Sequence, residues 1–465
     1  METSQPSLGL LPLIGHTPMV KVMRLDTGPC ELFLKMESQN PGGSIKDRIG
    51  LSMITAAEEA GHLGAHQTKL VEATAGNTGL ALALVAAQKG YALTLVIPDK
   101  MSQEKVFHLK ALGATVVMTR SDVGKGHPEY YQDVAKRIAE EQGAFFVNQF
   151  ENPANARAHE ESTGPEIFAQ LDGKIDAMIA GVGSGGTIAG LSRYFARVAP
   201  DCEMVLADPK GSIVADFVAT GTFGASGSWL IEGIGEDFIP SICDLSRVKK
   251  AYTIPDSESL EAARNLLRKE GILAGSSTGT LLAAALRYCR EQTTPKRVCT
   301  FVCDSGNKYL SKMFNDYWMA DQGFSEKPRC GDLRDVIGRS AQDRAVVTVK
   351  PDDTLLIAYG RMKLYDVSQL PVVDDSGKVV GLVDEGDLLL ATVRGDGEGQ
   401  KGESLRARTG DVMSKTLVTV TPQTPIPELL PLFDRGIVPI VMHEGEFLGL
   451  VTKIDVLNHL RRMAS

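Results

Sequence analysis

One lysine stands where the sequence could make it a nucleophile. The run Asn40-Pro41-Gly42-Gly43-Ser44-Ile45-Lys46-Asp47-Arg48 places Lys46 directly after a glycine-rich turn. Ser44 followed by Asp47 is typical of a capped helix N-terminus, so Lys46 is predicted in the first turn. The helix dipole and burial both disfavour a protonated ammonium there, which predicts an amine able to form a Schiff base. The alternative is an ordinary solvated lysine. The choice between the two depends on whether other motifs of the chain supply a binding site for a partner of this amine.

A glycine-rich turn later in the chain could bind a phosphate. Residues 180–187, Ala-Gly-Val-Gly-Ser-Gly-Gly-Thr, follow a predicted strand and precede a predicted helix. Successive backbone amides in such a turn, together with the helix dipole, bind anionic oxygens. The residues predicted to hold the phosphate are Gly183, Ser184, Gly185, Gly186 and Thr187.

The same turn also has the spacing of a dinucleotide fingerprint. Gly181, Gly183 and Gly186 give G-x-G-x-x-G, and Asp208 ends the next predicted strand. An NAD-dependent dehydrogenase is therefore an alternative of a different class. It leaves Lys46 unexplained, and the hydroxyl of Thr187 suits a terminal monophosphate better than a dinucleotide.

A third turn, Thr74-Ala75-Gly76-Asn77-Thr78-Gly79, also lies between a strand-like run and a helix. Its small residues leave amides and hydroxyls free to bind a carboxylate, and the Asn77 side chain can reach a ring hydroxyl. Taken alone, this turn would be interpreted as a helix cap. A phosphate site, a Schiff-base lysine and a carboxylate site together indicate pyridoxal 5′-phosphate as cofactor.

Composition narrows the class of protein. The chain has 465 residues, 43% of them hydrophobic, and a formal net charge of −9, which argues against nucleic acid as a partner. Neither a basic leader nor a membrane-length apolar run is present, so we expect a cytoplasmic protein that does not bind a membrane. The seven scattered cysteines lack a CxxC pair and predict neither disulfides nor a metal site. Cys299 and Cys303 are expected to be small core residues.

Short β-rich runs alternate with helical runs between about residue 30 and residue 320. The predicted strands are 93–97, 114–118, 175–180, 203–207 and 298–302. The predicted helices are 45–60, 78–89, 103–112, 128–142, 187–198, 257–269 and 278–291. This alternation predicts an α/β fold with parallel sheets whose ligands bind at the carboxyl ends of strands.

An internal repeat follows a linker predicted at 321–331. Three tripeptides of the first copy return in the second with similar sequence: Val347-Thr348-Val349 as Val418-Thr419-Val420, Pro371-Val372-Val373 as Pro439-Ile440-Val441, and Gly381-Leu382-Val383 as Gly449-Leu450-Val451. One copy is too small to bury its own faces, so the two are expected to pack as a pair. The predicted domains are 1–325, 332–392 and 409–465.

NPGGSIKDR, TAGNTG and GVGSGGT, in this order, resemble the signatures of the β-replacing pyridoxal-phosphate enzymes, the group of cysteine synthases, threonine dehydratases and cystathionine β-synthases. The loop Glu232-Gly233-Ile234-Gly235, the segment 100–106 and the tandem repeat resemble the cystathionine β-synthases within that group. The resemblance implies the two doubly wound sheets of the tryptophan-synthase-β-like fold, followed by a tandem CBS-domain (Bateman) module. It also implies a homodimer or larger homo-oligomer.

The resemblance assigns roles to individual residues. Lys46 forms the Schiff base, Asn77 contacts the 3′-oxygen of the pyridine ring, and Ser277 contacts the ring nitrogen. The substrate is surrounded by Thr74, Ala75, Thr78, Gln149 and Gly233. In the second repeat, Thr452 and Asp455 fit a site for an adenosine ligand, with Asp387 as the related residue of the first repeat. The alternative for both aspartates is that they cap helices.

The implied reaction is a β-replacement. Serine or O-acetylserine loses its β-substituent to leave an aminoacrylate, homocysteine adds through sulfur to give cystathionine, and Lys46 moves the proton as general base and acid. A cysteine synthase that uses sulfide is the alternative within the group. Neither Cys nor His occurs among the residues before Gly15, so no haem is expected. Ala75 and Glu236 depart from the pattern of the animal enzymes near the substrate.

Overall fold

The computed structural model describes residues 7, 9–74, 76–99, 101, 103–124, 126–324, 330–394 and 404–464, so the predicted substrate residue Ala75 lies outside the described residues. The chain divides into two compact units, residues 1–314 and 315–465. The domain limits predicted from the sequence stay predictions.

Unit 1 contains two sheets of mainly parallel strands. Its strands are β1 (Met19–Lys21), β2 (Glu31–Lys35), β3 (Lys69–Ala73), β4 (Ala92–Pro98), β5 (Thr115–Thr119), β6 (Phe145–Phe146), β7 (Ala177–Ala180), β8 (Glu203–Pro209), β9 (Val248–Ile254) and β10 (Arg297–Phe301). The larger sheet has the order β1-β2-β10-β7-β8-β9, and the smaller has the order β5-β4-β3-β6. All pairs are parallel except β1 with β2, which confirms the predicted α/β class.

Helices connect these strands. Those of unit 1 are α1 (Lys46–Glu59), α2 (Asn77–Lys89), α3 (Gln103–Ala111), α4 (Tyr131–Gln142), α5 (Pro153–Ala158), α6 (Gly164–Gln170), α7 (Gly186–Val198), α8 (Val214–Thr220), α9 (Asp256–Glu270) and α10 (Ser276–Arg290). A π-helical turn, His159–Thr163, joins α5 to α6. The seven predicted helices and five predicted strands agree with the structure to within three residues at their ends. Strand β9 was missed because Lys249 and Lys250 interrupt its apolar pattern.

The start of α1 differs in detail from the predicted cap. The residue before the helix is Ile45, and it makes no side-chain cap. Ser44 Oγ instead accepts from the Lys46 amide at 3.3 Å, and the Asp47 carboxylate accepts from the amide of Gly42. The aspartate therefore stabilises the turn before the helix, and Lys46 still occupies the first turn as predicted.

Unit 2 contains the two repeats. Its elements are α11 (Asp316–Asp321), α12 (Leu355–Tyr365), β11 (Gln369–Val373), β12 (Val379–Asp384), α13 (Glu385–Arg394), α14 (Thr409–Val412), β13 (Thr419–Val420), α15 (Ile426–Asp434), β14 (Ile440–His443), β15 (Glu446–Leu450) and α16 (Lys453–Ala464). Each repeat has its own buried cluster, one around Val349 and Leu370 and the other around Leu429 and Val441. The hairpin β11–β12 corresponds to β14–β15, which confirms the predicted repeat. Among the residues that the structure describes, we find no helix of sufficient length and hydropathy to cross a membrane.

Candidate active site

Three strand ends carry the residues of the site. Strand β3 of the smaller sheet ends at Ala73, shortly before Thr74 and residues 76–79, which we call the 74–79 turn, while β7 of the larger sheet ends at Ala180 and leads into the 181–187 turn. Strand β10, the neighbour of β7 in the larger sheet, ends at Phe301, shortly before Cys303 and Asp304. Ligands of parallel sheets bind at the carboxyl ends of the strands.

Lys46 and the 181–187 turn line one pocket. The lining residues are Ile45, Lys46, Gly181, Gly183, Ser184, Gly185, Thr187, Ile234, Leu281, Phe301 and Cys303. Burial lowers the pKa of Lys46, and the neighbouring Cys303, Asp304 and Glu236 only partly oppose that shift. The predicted nucleophile and the predicted phosphate site therefore meet, and the environment favours the neutral amine.

A buried ion network holds the helix that carries Lys46. Arg48 donates to both oxygens of Glu37 at 2.8 Å and to both oxygens of Glu166 at 2.7 Å. Lys35 Nζ also donates to Glu166 at 2.7 Å. Two bidentate pairs on one guanidinium fix its position in two directions. Since Arg48 lies two residues after Lys46, the network fixes the start of α1.

Glycines are required in the 181–187 turn because other chain segments approach it closely. A Cβ atom on Gly183 would lie 2.5 Å from the carbonyl oxygen of Gly233, and one on Gly186 would overlap the Asn155 side chain. Gly185 has a φ of 84°, in the left-handed region that favours glycine. Gly183, Gly185 and their neighbours in the turn line the Lys46 pocket, where an anion could reach their amides.

Two side chains that were not predicted support this turn. Asn155 Nδ2 donates to Ser184 Oγ at 2.9 Å, and His159 Nε2 lies 3.1 Å from Thr187 Oγ1. His159 Nδ1 lies 2.9 Å from Thr163 Oγ1. Burial, then the charges of Arg48 and Lys46, lower the pKa of His159 well below its usual value, so the ring is neutral.

The 74–79 turn brings several predicted substrate residues together. Thr78 Oγ1 donates to Gln149 Oε1 at 2.7 Å, and Thr74 Oγ1 accepts from the amide of Gly76 at 3.3 Å. Asn155 Nδ2 donates to the backbone oxygen of Gln149 at 2.8 Å as well as to Ser184. A single buried amide therefore links the 74–79 side of the site to the 181–187 turn.

The side chain of Asn77 is held between two charged groups. Its Nδ2 donates to Asp304 Oδ2 at 2.8 Å, and its Oδ1 accepts from Lys308 Nζ at 2.8 Å. Sequence reasoning did not assign either partner. The signal that could have found them is their position directly after β10, in the Asp-Ser-Gly-Asn-Lys run at the carboxyl end of a parallel strand.

Ser277 is buried in the first turn of α10. Burial raises the pKa of Cys303 to about 12, so it is a neutral thiol. Cys303 packs half-buried against the core of unit 1, in line with the expectation of a small core residue, and it also lines the Lys46 pocket. It follows the end of β10, where alternation no longer predicts which face is buried. Cys299, inside β10, is fully buried as expected.

The loop that contains Gly233 closes the other side of the site. Glu232 pairs with Lys105 and with Lys312, the latter at 2.7 Å, and its amide donates to Ser276 Oγ at 3.0 Å. Gly233 has a φ of 89° and lies against Gly183. The loop thus contacts the 181–187 turn through its backbone and α3 through an ion pair.

Asp208, the acidic residue that the dehydrogenase alternative requires, is engaged in the fold. Asp208 Oδ2 accepts from the Ala215 amide at 2.9 Å, so the carboxylate stabilises the start of α8. Burial raises the pKa of Asp208 to about 6. A buried carboxylate engaged in this way is not placed to bind a ribose hydroxyl.

In unit 2, a cavity of about 470 Å³ lies between the two repeats. Thr452 and Asp455 line it, as do Asp366 and Ser368 of the first repeat, but Asp387 does not. The amide of Thr452 donates to Asp455 at 2.7 Å, which is a helix cap. Asp387 likewise caps α13 with Asp384. Both aspartates therefore cap helices, as the alternative interpretation stated. Of the two, only Asp455 faces this cavity.

The residues at the Lys46 pocket fit pyridoxal 5′-phosphate. A lysine amine with a lowered pKa and a glycine turn that lines the same pocket match an aldehyde and a phosphate. The buried Ser277 hydroxyl, the expected partner of the ring nitrogen, lies outside the lining of that pocket. The residues that would hold the group are Lys46, Asn77, Ser277 and the 181–187 turn.

Comparison with known proteins agrees with this site. The family described as "Pyridoxal-phosphate dependent enzyme" matches residues 10–304, and the family "CBS domain" matches 335–394 and 410–462. The cystathionine beta-synthase of Dictyostelium discoideum is 36% identical over 471 residues, covering 97% of this chain and 92% of that protein. Cysteine synthase A of Escherichia coli is 43% identical over 302 residues, covering 64% of this chain and 92% of that protein.

A solved structure shows the same catalytic fold. The hydrogen sulfide-producing enzyme from Fusobacterium nucleatum is 35% identical with a TM-score of 0.60, and the match covers 66% of this chain and all of that one. The chain therefore belongs to the cystathionine β-synthase family of pyridoxal-phosphate-dependent enzymes with a carboxy-terminal pair of CBS domains.

Proposed function

We propose that this protein condenses L-serine, or O-acetylserine, with L-homocysteine to give cystathionine. The observation that carries the proposal is the extent of the similarity. The Dictyostelium discoideum cystathionine beta-synthase matches 97% of the chain, including the repeats, whereas the match to cysteine synthase A covers 64%.

Lys46 carries the proton transfers of this mechanism. Bound pyridoxal 5′-phosphate supplies an aldehyde for a lysine amine and a ring that stabilises negative charge on the α-carbon of an amino acid. Lys46 Nζ, whose pKa burial lowers, removes the α-proton and later returns it. The uncharged Ser277 hydroxyl would be the partner of the ring nitrogen and would leave that nitrogen unprotonated. Such a partner would favour loss of the β-substituent over transamination.

The 74–79 turn and its partners bind the substrate in this proposal. The backbone amides and the Thr74 hydroxyl donate to the α-carboxylate, while the Thr78 hydroxyl donates to Gln149 and holds that side chain in place. The Gly233 loop covers the opposite side, where the Glu232 ion pairs with Lys105 and Lys312 keep it closed. This arrangement orients the amino acid and excludes water from the reacting carbon.

Product analysis tests the proposal. Serine and O-acetylserine are each combined with homocysteine and with sulfide, and we expect cystathionine from homocysteine to be the fastest product. A clear preference for sulfide would assign the chain as a cysteine synthase, which the 43% identity to cysteine synthase A favours as second candidate. Lys46→Ala should lose the visible absorption of the cofactor, and a band that survives would contradict the role of Lys46.

We propose further that the cavity of unit 2 binds an adenosine ligand. Its volume of about 470 Å³ is that of a small-molecule site, and the Thr452 hydroxyl and Asp455 carboxylate can bind ribose. Calorimetry of the full chain with AMP, ATP and S-adenosylmethionine tests this, with Asp455→Ala as the variant expected to lose binding. Asp387→Ala is the matched control because Asp387 lies outside the cavity. We also propose a homodimer or larger assembly, which sedimentation of the protein tests.

A further inference from the structure

Lys308 lies beside acceptors that belong to two different motifs. Its Nζ donates to Asn77 Oδ1 at 2.8 Å and to the backbone oxygens of Gly42 and Gly43 at 3.4 Å each. The two glycines form the turn that leads into α1 and Lys46, whereas Asn77 is the first residue of α2. An ammonium has three N–H donors, so each of these acceptors can receive one. The Lys308 side chain therefore connects the turn before Lys46 to the Asn77 amide.

The other half of the Asn77 amide is fixed by a carboxylate. Asn77 Nδ2 donates to Asp304 Oδ2 at 2.8 Å, and the hydroxyl of Tyr309 donates to the same oxygen at 2.8 Å. Asp304 Oδ2 accepts from both Tyr309 and Asn77, so the amide nitrogen must face Asp304 and the amide oxygen must face Lys308. One N–H of the amide is left over for a further acceptor.

We propose that Lys308 is a positioning residue for the cofactor ring, because it fixes the orientation of the Asn77 amide and holds the turn before Lys46 against it. The inference rests on the proposed contact between Asn77 and the ring 3′-oxygen. With the amide in the fixed orientation, its remaining N–H donates to that oxygen. A flipped amide would place its own oxygen against the ring oxygen, and the ring oxygen would lose its donor.

The test compares Lys308→Met with Lys308→Arg. We expect Lys308→Met to shift the balance between the two visible and near-ultraviolet absorption bands of the bound cofactor. The dissociation constant of pyridoxal 5′-phosphate, from fluorescence titration, should rise about tenfold, as the loss of one charged hydrogen bond implies. Lys308→Arg keeps the donors and the charge and should restore both values. Lys89→Met is the matched control, since Lys89 ends α2 and pairs with Glu58.

Asn77→Ala separates this inference from the proposed site. If Asn77 contacts the ring, its alanine variant changes the spectrum, and adding Lys308→Met changes it no further. An unchanged spectrum in Asn77→Ala would overturn the ring contact itself. A changed spectrum in Asn77→Ala with a normal one in Lys308→Met would overturn the role of Lys308 alone. Should Lys308→Met fail to fold, Lys308→Gln, which removes the charge and one of the three N–H donors, is read in the same way.

Discussion

The 181–187 turn and the 74–79 turn both follow buried parallel strands, but different groups lie behind them. Behind the first is His159, a buried imidazole that burial keeps neutral. Behind the second is Glu72, a buried carboxyl on β3 whose pKa burial raises to about 8. The charged form of each group destabilises the fold. His159 becomes charged as the pH falls, whereas Glu72 becomes charged as the pH rises. The comparison predicts that acid weakens one side of the site and alkali the other.

The two turns also differ in how tightly their glycines are packed. Glycines of the 181–187 turn contact backbone and short side chains, namely Gly233 and Asn155. In the 74–79 turn, a Cβ on Gly79 would lie 2.8 Å from Thr74 Cγ2, but the nearest atom to a Cβ on Gly76 would be the terminal nitrogen of Lys105 at 3.5 Å, which can move. The first turn is therefore tightly packed, whereas the second is tight at Gly79 and has room to adjust to a substrate at Gly76.

Glu72→Gln should produce the largest effect, on the pH dependence of stability. A folded pKa of about 8 lies above the ordinary 4.5, so the stabilising contribution is present below 4.5 and is lost as the pH rises through about 8. Between pH 6 and pH 9 the wild type should therefore lose roughly 3 kcal/mol of stability, which the variant should not lose. The measurement is urea unfolding of the full chain at pH 6 and pH 9. Glutamine keeps the size of the side chain and places its amide where Glu72 Oε2 already lacks a hydrogen-bond partner.

The control for this prediction is Glu58→Gln, because Glu58 is half-exposed and pairs with Lys89. It should follow the wild-type curve in alkali. Identical alkaline curves for Glu72→Gln and the wild type would show that Glu72 is ionised at neutral pH.

Gly186→Ala should empty the site of cofactor. The new methyl group would overlap the Asn155 side chain, and overpacking of this kind costs about 3 kcal/mol, or about a hundredfold in affinity. Cofactor content after gel filtration measures the loss. Gly124→Ala is the matched control, since no atom lies within 4 Å of its added Cβ. Normal cofactor content in Gly186→Ala would mean that the 181–187 turn is not tightly packed.

The sequence predicted the parts of this site that depend on local pattern. Strand, glycine turn and helix follow one another along the chain, so Lys46, Thr78 and the 181–187 turn were placed correctly in the elements that carry them. The supporting residues could not be found in this way. Lys308 reaches Asn77 across 231 residues of chain, and His159 reaches Thr187 across 28. Such contacts depend on how the sheets pack, which periodicity does not encode.

His159→Gln should make the protein less sensitive to acid. The folded pKa of His159 lies well below the ordinary 6.5, so its contribution is present above 6.5 and is lost as the pH falls. One proton gives a slope of at most about 1.4 kcal/mol per pH unit. Unfolding at pH 5 and pH 7 should show a smaller difference in the variant than in the wild type. His66→Gln, on an exposed loop, is the control and should leave the slope unchanged. An unchanged slope in His159→Gln would mean that another group causes the sensitivity to acid.

Glu232→Gln should give the smallest effect, confined to the substrate side. The change removes the charge that holds Lys105 and Lys312, while the backbone contact of Gly233 with Gly183 remains. We expect the KM for the thiol substrate to rise about tenfold, the equivalent of one ion pair of about 1.4 kcal/mol, with cofactor content unchanged. Steady-state kinetics and absorbance measure both. Loss of cofactor along with affinity would mean that the loop also holds the 181–187 turn, and the two sides of the site would then form one rigid body.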